Sequence, residues 1–326
     1  MTYPRQSLVC LEATPFYHVV SRCVRRAWLY GYDEYAGRDY SHRKDWVLER
    51  LRELSAAFAI DLCAYAVMSN HYHLVLHVDA DRARRWTQQE VVARWTRLFN
   101  RPALIEQWQQ RECPEAVRTA AEELIAEWRQ HLFDVSWYMR FLNEPLARRA
   151  NAEDACTGRF WEGRFKSQAL LDEVGLLTAM AYVDLNPIRA GIAATPETSA
   201  FTSICARIEA LRAGRDSQAV PLLSFCVPGS TDSGSLPFPL ADYLTLVDWS
   251  GRAVRVDKRD AIDADLPPLL VRLNIDPSAW QQAMRPRGIV FGRALGRLDR
   301  LKRHAMALGQ AWIRGLAAAE RLYRSA

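Results

Sequence analysis

Apolar and polar positions follow two different periods along the first 200 residues of the chain. Aromatic and β-branched residues dominate 15–25, 60–68 and 71–78, which predicts three strands. A further strand is expected within 165–171. Between the first two strands, apolar residues recur three and four positions apart, which predicts a helix over 42–59.

Helical spacing returns after the third predicted strand. Helices are predicted over 87–99, 115–131, 134–149 and 173–185. The last of these is expected to end at Asn186, because the residue before a proline avoids the right-handed helical region.

The order strand, helix, strand, strand, helix, strand predicts an α+β fold. We expect a ferredoxin-like antiparallel sheet with helices on one face, formed by residues 1–199. Residues 200–242 are predicted to be a linker, since four prolines and five serines crowd its second part. Residues 243–326 are predicted to be a mainly helical C-terminal region that begins with a short β-like piece over 243–255.

Composition excludes several classes of protein. Of the 326 residues, 49% are hydrophobic and 25% are charged, which excludes a wholly disordered chain. No apolar run reaches the ~18 residues that a membrane span requires, and residues 1–7 lack the apolar core of a secretory signal. The seven cysteines are scattered and form no Cys-x-x-Cys pair, which favours a cytoplasmic protein over a disulfide scaffold or a cysteine zinc site.

Positive charge is concentrated near the C-terminus. The formal net charge is +5, yet residues 285–326 alone carry ten basic side chains and two acidic ones. A basic segment of this kind is typical of a surface that binds a polyanion such as nucleic acid. The alternative is a basic helix face that only contacts solvent.

Two histidines follow the turn between the second and third predicted strands. Side chains two positions apart on a strand share a face, so His71 and His73 project together. Two imidazoles with oxygen ligands suit Mg²⁺, Mn²⁺ or Zn²⁺, depending on the remaining ligands. The alternative is that these histidines are polar surface or hydrogen-bonded core residues.

A tyrosine and an asparagine lie four residues apart near the end of the helix predicted over 173–185. Tyr182 and Asn186 would therefore share one helix face. A tyrosine acts as a covalent nucleophile when a base or metal activates it, and an amide oxygen can be a metal ligand. The alternative for Tyr182 is packing at the core boundary.

Basic and aromatic residues alternate before the last predicted strand of the first domain. Arg164 and Lys166 lie beside Trp161 and Phe165, a combination that suits a nucleic-acid strand through charge and stacking. A strand with one solvated face is the alternative. Further along, Arg189 either contacts phosphate or caps backbone carbonyls.

Together and in this order, these motifs resemble those of the single-tyrosine HUH transposases, and within them the REP-associated tyrosine transposases. The similar motifs are Tyr17–Arg22 on the first strand, His71–His73, Trp161–Ser167 and Tyr182–Gly191. The resemblance extends over roughly residues 8–195. It implies a metal-dependent transposase that cleaves and rejoins single-stranded DNA through a 5′-phosphotyrosine intermediate.

The resemblance also implies roles for particular residues. Tyr182 would be the catalytic nucleophile. The metal ligands would be His71, His73 and Asn186, holding Mg²⁺ or Mn²⁺. The residues that we expect to contact single-stranded or hairpin DNA are Arg22, Arg164, Lys166, Arg189, Arg297, Arg300 and Arg303. The protein is expected to have no membrane partner and to be a monomer or a homodimer.

Two other functions are compatible with parts of the pattern. The first is a domesticated protein that binds DNA hairpins without physiological turnover, although the presence of the histidine pair and the tyrosine disfavours it. The second is a metal-dependent hydrolase of small phosphate esters. The basic C-terminal segment and the lack of acidic clusters disfavour this hydrolase.

Overall fold

The computed structural model describes residues 9–24, 31–33, 37–214, 220–227, 234–254, 267–285, 292–310, 313 and 315–322. The strands are β1 (Phe16–Arg22), β2 (Tyr32–Asp33), β3 (Arg38–Asp39), β4 (Ile60–Val67), β5 (His71–Val78), β6 (Lys166–Leu170) and β7 (Ala294–Leu295). The helices are α1 (Arg43–Ala57), α2 (Ala80–Arg85), α3 (Gln88–Trp95), α4 (Ala103–Trp108), α5 (Glu115–His131), α6 (Val135–Glu153), α7 (Glu173–Asp184), α8 (Asn186–Arg189), α9 (Ser203–Ala213), α10 (Leu240–Val254), α11 (Pro268–Arg272), α12 (Pro277–Met284), α13 (Leu298–Ala307) and α14 (Leu316–Leu322), with a 3₁₀ turn at Pro196–Thr198.

The centre of the fold is a five-stranded sheet in the order β4-β5-β1-β6-β7. The pairs β4–β5, β5–β1 and β1–β6 are antiparallel, and these are the four strands that the sequence predicts. Strand β7 comes from the C-terminal region and joins the edge of the sheet parallel to β6. The α+β class is therefore confirmed, and the sheet is mixed rather than wholly antiparallel.

Helices cover both faces of this sheet, so the expectation of helices on one face is wrong. Tyr72 and Leu74 of β5 belong to a hydrophobic cluster that includes residues of α1 and α6. Val75, which points the opposite way, belongs to a second cluster built around α7. The physical reason is that both faces of the sheet carry apolar side chains, such as Leu74 on one face and Val75 on the other, and their burial against helices is favourable.

The segment predicted to be a linker is largely part of the fold. It contains α9, and its Val220 and Leu236 are fully buried. The β-like piece expected over 243–255 is the helix α10, because Tyr243, Leu246 and Val247 recur at helical rather than alternating spacing and bury one face. The cluster around α7 includes these three residues, so it crosses the predicted domain boundary.

A buried carboxylate ties α7 to α9 and α10. Asp184 accepts hydrogen bonds from the backbone N–H of Ile204 at 3.0 Å and from the hydroxyl of Tyr243 at 2.6 Å. The Ser203 hydroxyl donates a third. Burial raises the pKa of Asp184 to about 6. Helices α9 and α10 therefore help to fix the end of α7 that carries Tyr182.

Helix α7 ends close to the predicted position, but the chain does not leave helical geometry there. Leu185 follows α7 and has helical backbone angles, and Asn186 opens the short helix α8. Pro187 lies in the first turn of α8, where its missing N–H is tolerated. Asn186 is thus part of a helical turn, not the end cap that the sequence suggests.

Two further expectations concern the chain as a whole. In the described parts of the chain, no helix is both long and apolar enough to cross a membrane. All seven cysteines lie within the described residues, and no disulfide joins any two of them.

Candidate active site

The candidate site lies on the sheet face that α7 covers. Strand β5 directs His71 and His73 to this face, since Tyr72 between them points into the opposite cluster. Strand β1 pairs with β5, with Arg22 opposite His71 and Val20 opposite His73. His18 lies two positions before Val20 on β1, so it faces the same side of the sheet as His73. The cross-strand register therefore gathers three imidazoles on one face.

Helix α7 places Tyr182 against these imidazoles. The tyrosine ring centroid is 6.0 Å from that of His73 and 6.3 Å from that of His18, with the rings edge to face. Almost all of the other α7 side chains are buried, whereas Tyr182 is only partly buried. The structure thus brings Tyr182, His71 and His73 together, and it leaves the tyrosine within reach of solvent.

Hydrogen bonds fix the orientation of each imidazole. His71 bonds through Nδ1 to the side-chain oxygen of Asn70 at 2.6 Å. A bond of 2.9 Å joins His73 Nδ1 to His18 Nε2, and His18 Nδ1 lies 3.4 Å from Oε1 of Gln168. His71 and His73 therefore both use Nδ1 for hydrogen bonding, which leaves Nε2 of each as the nitrogen available to a ligand.

Burial keeps the three imidazoles neutral at neutral pH. It lowers the pKa values of His18 and His71 to about 4, and it lowers the pKa of His73 well below the usual value. The positive charges of Arg22 and Arg189 act in the same direction on His71 and His73. The neutral imidazole is the form that binds metal ions.

A guanidinium lies directly on the tyrosine ring. The Cζ atom of Arg189 is 3.4 Å from the ring centroid of Tyr182, and its Nη2 donates to the Tyr182 backbone carbonyl at 3.0 Å. Its Nη1 is buried and has no hydrogen-bond partner in the described part of the chain. Arg189 therefore caps a carbonyl, as one of the two sequence-based interpretations has it, and keeps a free donor beside Tyr182.

Asn186 is buried one helical turn after Tyr182. Its Nδ2 atom makes no hydrogen bond within the described residues, so no hydrogen bond from this nitrogen reaches His71 or His73. Among the residues that the structure describes, no group of three His, Cys, Asp or Glu side chains could hold a metal ion. The donor set is thus two neutral imidazoles and one uncommitted amide, which fits a divalent cation that completes its shell with water or phosphate oxygens.

Basic side chains border the site at one end of the sheet. Arg22 is exposed at the end of β1, and Lys166, opposite Val20 on β6, is exposed as well. Lys166 has the same strand parity as Gln168, so it lies on the histidine face. Arg164 is exposed in the loop that leads into β6.

The other basic residues expected to contact DNA lie on a different part of the fold. Arg297 is the N-cap residue of α13, and Arg300 and Arg303 are exposed on that helix. The buried side of α13 belongs to the cluster around α1 and α6, not to the cluster around α7. Part of the basic segment, 286–291, lies outside the described residues.

Two site residues have no counterpart among the sequence predictions. His18 and Gln168 lie side by side on β1 and β6, and both are almost fully buried. The sequence does contain one indication for His18: it lies an even number of positions from Arg22 in a predicted strand, so both side chains are expected on the same face. Nothing within either strand indicates that β1 lies between β5 and β6.

The comparisons with known proteins give one similar fold. No protein-family model matches the chain, and no curated protein matches it significantly. A solved structure of a REP-associated tyrosine transposase bound to a REP hairpin is similar over 72% of this chain and 97% of that chain, with a TM-score of 0.38 and 10% sequence identity. This is a distant likeness of fold, and it leaves the roles of individual residues to the geometry of the site.

Proposed function

We propose that this protein is a transposase-type nuclease and strand transferase that acts on single-stranded DNA at hairpin-forming repeats. The observation that carries the proposal is the position of Tyr182, whose partly exposed ring lies edge to face with His73 on a face that also carries His71. A tyrosine beside two neutral imidazoles combines a nucleophile with candidate metal ligands. The motif resemblance adds hairpin-forming repeats as the substrate.

The proposed reaction exchanges one phosphodiester for another. The Tyr182 oxygen attacks the scissile phosphorus in line, and the bond from phosphorus to the 3′ oxygen breaks. The phenol loses its proton, and the leaving 3′ oxygen gains one. The products are a 5′-phosphotyrosine and a free 3′-hydroxyl, and attack by another 3′-hydroxyl reverses the step and joins strands. Because the ester bond is conserved, the reaction requires no nucleotide cofactor.

Three residues are proposed to hold the divalent ion, Mg²⁺ or Mn²⁺. His71 and His73 would bind through Nε2, and Asn186 would supply the third ligand. When bound, the ion would polarise the scissile phosphate and neutralise charge that develops in the transition state. Arg189 is proposed to assist from its position against the Tyr182 ring, since its buried Nη1 donor is free to bind a phosphate oxygen.

The function is tested by trapping the covalent intermediate. We expect the wild-type protein, incubated with Mn²⁺ and an end-labelled single-stranded hairpin, to form a labelled adduct that survives denaturing electrophoresis. Peptide mapping should place the label on Tyr182. Hairpin binding without any adduct would contradict the nuclease proposal and support the alternative of a hairpin-binding protein without turnover.

Affinity for DNA is expected to depend on salt through two basic groups. One group borders the site and comprises Arg22, Arg164 and Lys166; the other comprises Arg297, Arg300 and Arg303 on α13. Replacing either group with alanine should flatten the slope of log affinity against log salt by about 2, since each phosphate contact on a single strand contributes about 0.7. Fluorescence anisotropy with a labelled hairpin at several salt concentrations measures these slopes.

A third triple variant controls for the loss of net charge. Arg84 on α2, Arg111 between α4 and α5, and Arg118 on α5 are exposed and belong to neither basic group. Their replacement with alanine removes the same charge and should leave the slope almost unchanged. If the α13 variant behaves like this control, α13 is only a solvated basic helix and its assignment to the DNA surface is wrong.

A further inference from the structure

A chain of three buried polar side chains begins at His73 of the candidate site and crosses three adjacent strands. His73 on β5, His18 on β1 and Gln168 on β6 share one face of the sheet. His18 and His73 are diagonal neighbours, because His18 pairs with Val75 and His73 with Val20. The bonds are 2.9 Å between His73 Nδ1 and His18 Nε2, and 3.4 Å between His18 Nδ1 and Gln168 Oε1.

The oxygen at the end of this chain determines where each proton lies. An amide oxygen only accepts hydrogen bonds, so His18 must carry its proton on Nδ1. A neutral imidazole has one N–H, which leaves His18 Nε2 as an acceptor. His73 must then carry its own proton on Nδ1 in order to donate to His18. The Nε2 atom of His73 is consequently a bare lone pair on the side of the ring away from His18.

We propose that His18 and Gln168 are positioning residues that hold His73 in the tautomer able to bind a metal ion through Nε2. The inference rests on the proposed function, since it concerns the same site, and it assigns two residues that the sequence motifs leave without a role. Hydrogen bonds to the far nitrogen fix the tautomer and the ring orientation of metal-binding histidines. Both residues are about 1% exposed, so water does not compete for these bonds.

If the side-chain amide of Gln168 had the opposite orientation, His73 would have the other tautomer. The Nε2 atom of Gln168 is buried and has no hydrogen-bond partner within the described residues. If the amide were reversed, Nε2 would donate to His18 Nδ1, and His18 would donate to His73. His73 would then carry its proton on Nε2, which would block that nitrogen as a ligand. The proposal therefore requires that His73 carry its proton on Nδ1 and not on Nε2.

Nuclear magnetic resonance of the metal-free protein reads this tautomer directly. With ¹⁵N-labelled histidine, two-bond correlations distinguish a protonated ring nitrogen from a bare one, and loss of a signal in His73→Asn assigns it. We expect His73 to carry its proton on Nδ1 at neutral pH. A proton on Nε2 in the wild-type protein would overturn the proposal, whatever the protein's activity.

Two substitutions at one position test the link to metal binding. Gln168→Glu keeps only acceptors beside His18, whereas Gln168→Met has a similar length and replaces the amide oxygen with a much weaker acceptor, a thioether sulfur. We expect Gln168→Met to weaken Mn²⁺ binding, measured by electron paramagnetic resonance, by about 10- to 100-fold. Gln168→Glu should bind Mn²⁺ at least as tightly as the wild type.

The outcomes separate this inference from the proposed function. Equal Mn²⁺ affinities in the wild type and Gln168→Met, with unfolding temperatures that show both to be folded, would contradict the role of Gln168. If the wild-type protein does not bind Mn²⁺, the metal-dependent function fails. In that case the tautomer measurement still shows whether His18 and Gln168 orient His73.

Discussion

Tyr182→Phe is expected to abolish the covalent protein–DNA adduct and to lower hairpin cleavage by roughly 10⁴-fold or more, the scale on which losing a covalent nucleophile acts. The variant removes one oxygen and retains the ring that lies against His73 and beneath Arg189. The fold and hairpin binding should therefore persist, with an affinity within about fivefold of the wild type because at most one ordinary hydrogen bond is lost. Denaturing electrophoresis and anisotropy titration measure the two effects separately.

Other tyrosines in the described residues are poor substitutes for Tyr182. Tyr17 and Tyr72 are fully buried, and their hydroxyls donate to Thr14 O and to Asn143 Oδ1. A matched control is Tyr32→Phe, since Tyr32 is well exposed and lies on β2, outside the five-stranded sheet. Wild-type cleavage by Tyr182→Phe, or an adduct mapped to another residue, would show that the nucleophile is misassigned.

The local sequence pattern is sufficient to predict the strand that carries His71 and His73. The predicted strand 71–78 has the same bounds as β5, and the shared face of His71 and His73 follows from strand parity alone. Most predicted helices of the first 200 residues also lie close to their observed bounds. These features depend only on the spacing of neighbouring residues.

The parts that sequence reasoning missed depend on contacts between distant segments. His18 and Gln168 become neighbours only because β1 pairs with both β5 and β6, and the bond between their side chains joins residues 150 positions apart. The covering of both sheet faces depends in the same way on where α7 packs.

The C-terminal errors have a different cause. The spacing of Tyr243, Leu246 and Val247 is a helical signal within the sequence, and the prediction of a β-like piece over 243–255 does not take it into account. The linker prediction for 200–242 rests on the prolines and serines of its second part, whereas its first part forms the helix α9. Both segments help to hold the end of α7, through Ser203 and Tyr243 on Asp184. The site therefore depends on chain that the motif resemblance does not include.

The histidine pair gives the second large expected effect. His71→Ala or His73→Ala should lower cleavage of a single-stranded hairpin by about a thousandfold or more, because metal-ion stabilisation of a phosphoryl transition state contributes several kcal/mol. Hairpin affinity should change little, since the basic residues that border the site remain. Gel-based cleavage rates at saturating protein and anisotropy titrations measure the two effects.

His77→Ala is a matched control for this prediction. His77 lies on the same strand and has the same parity as His71 and His73, but it is at the far end of β5 and bonds to Asp61 at 3.0 Å. Its replacement removes an imidazole from the same face without touching the candidate metal ligands. We expect it to retain cleavage, provided that its unfolding temperature shows an intact fold.

Chelation distinguishes a metal-binding role of the pair from a direct one. EDTA should reduce wild-type cleavage to the level of His73→Ala, and added Mn²⁺ or Mg²⁺ should restore it. The same chelator should have almost no further effect on His73→Ala, because a variant that has lost the ion has none to lose. Undiminished wild-type cleavage in EDTA would remove the metal from the mechanism. His71 and His73 would then act on Tyr182 or the phosphate through their own hydrogen bonds, and their neutral, buried state would be the feature to explain.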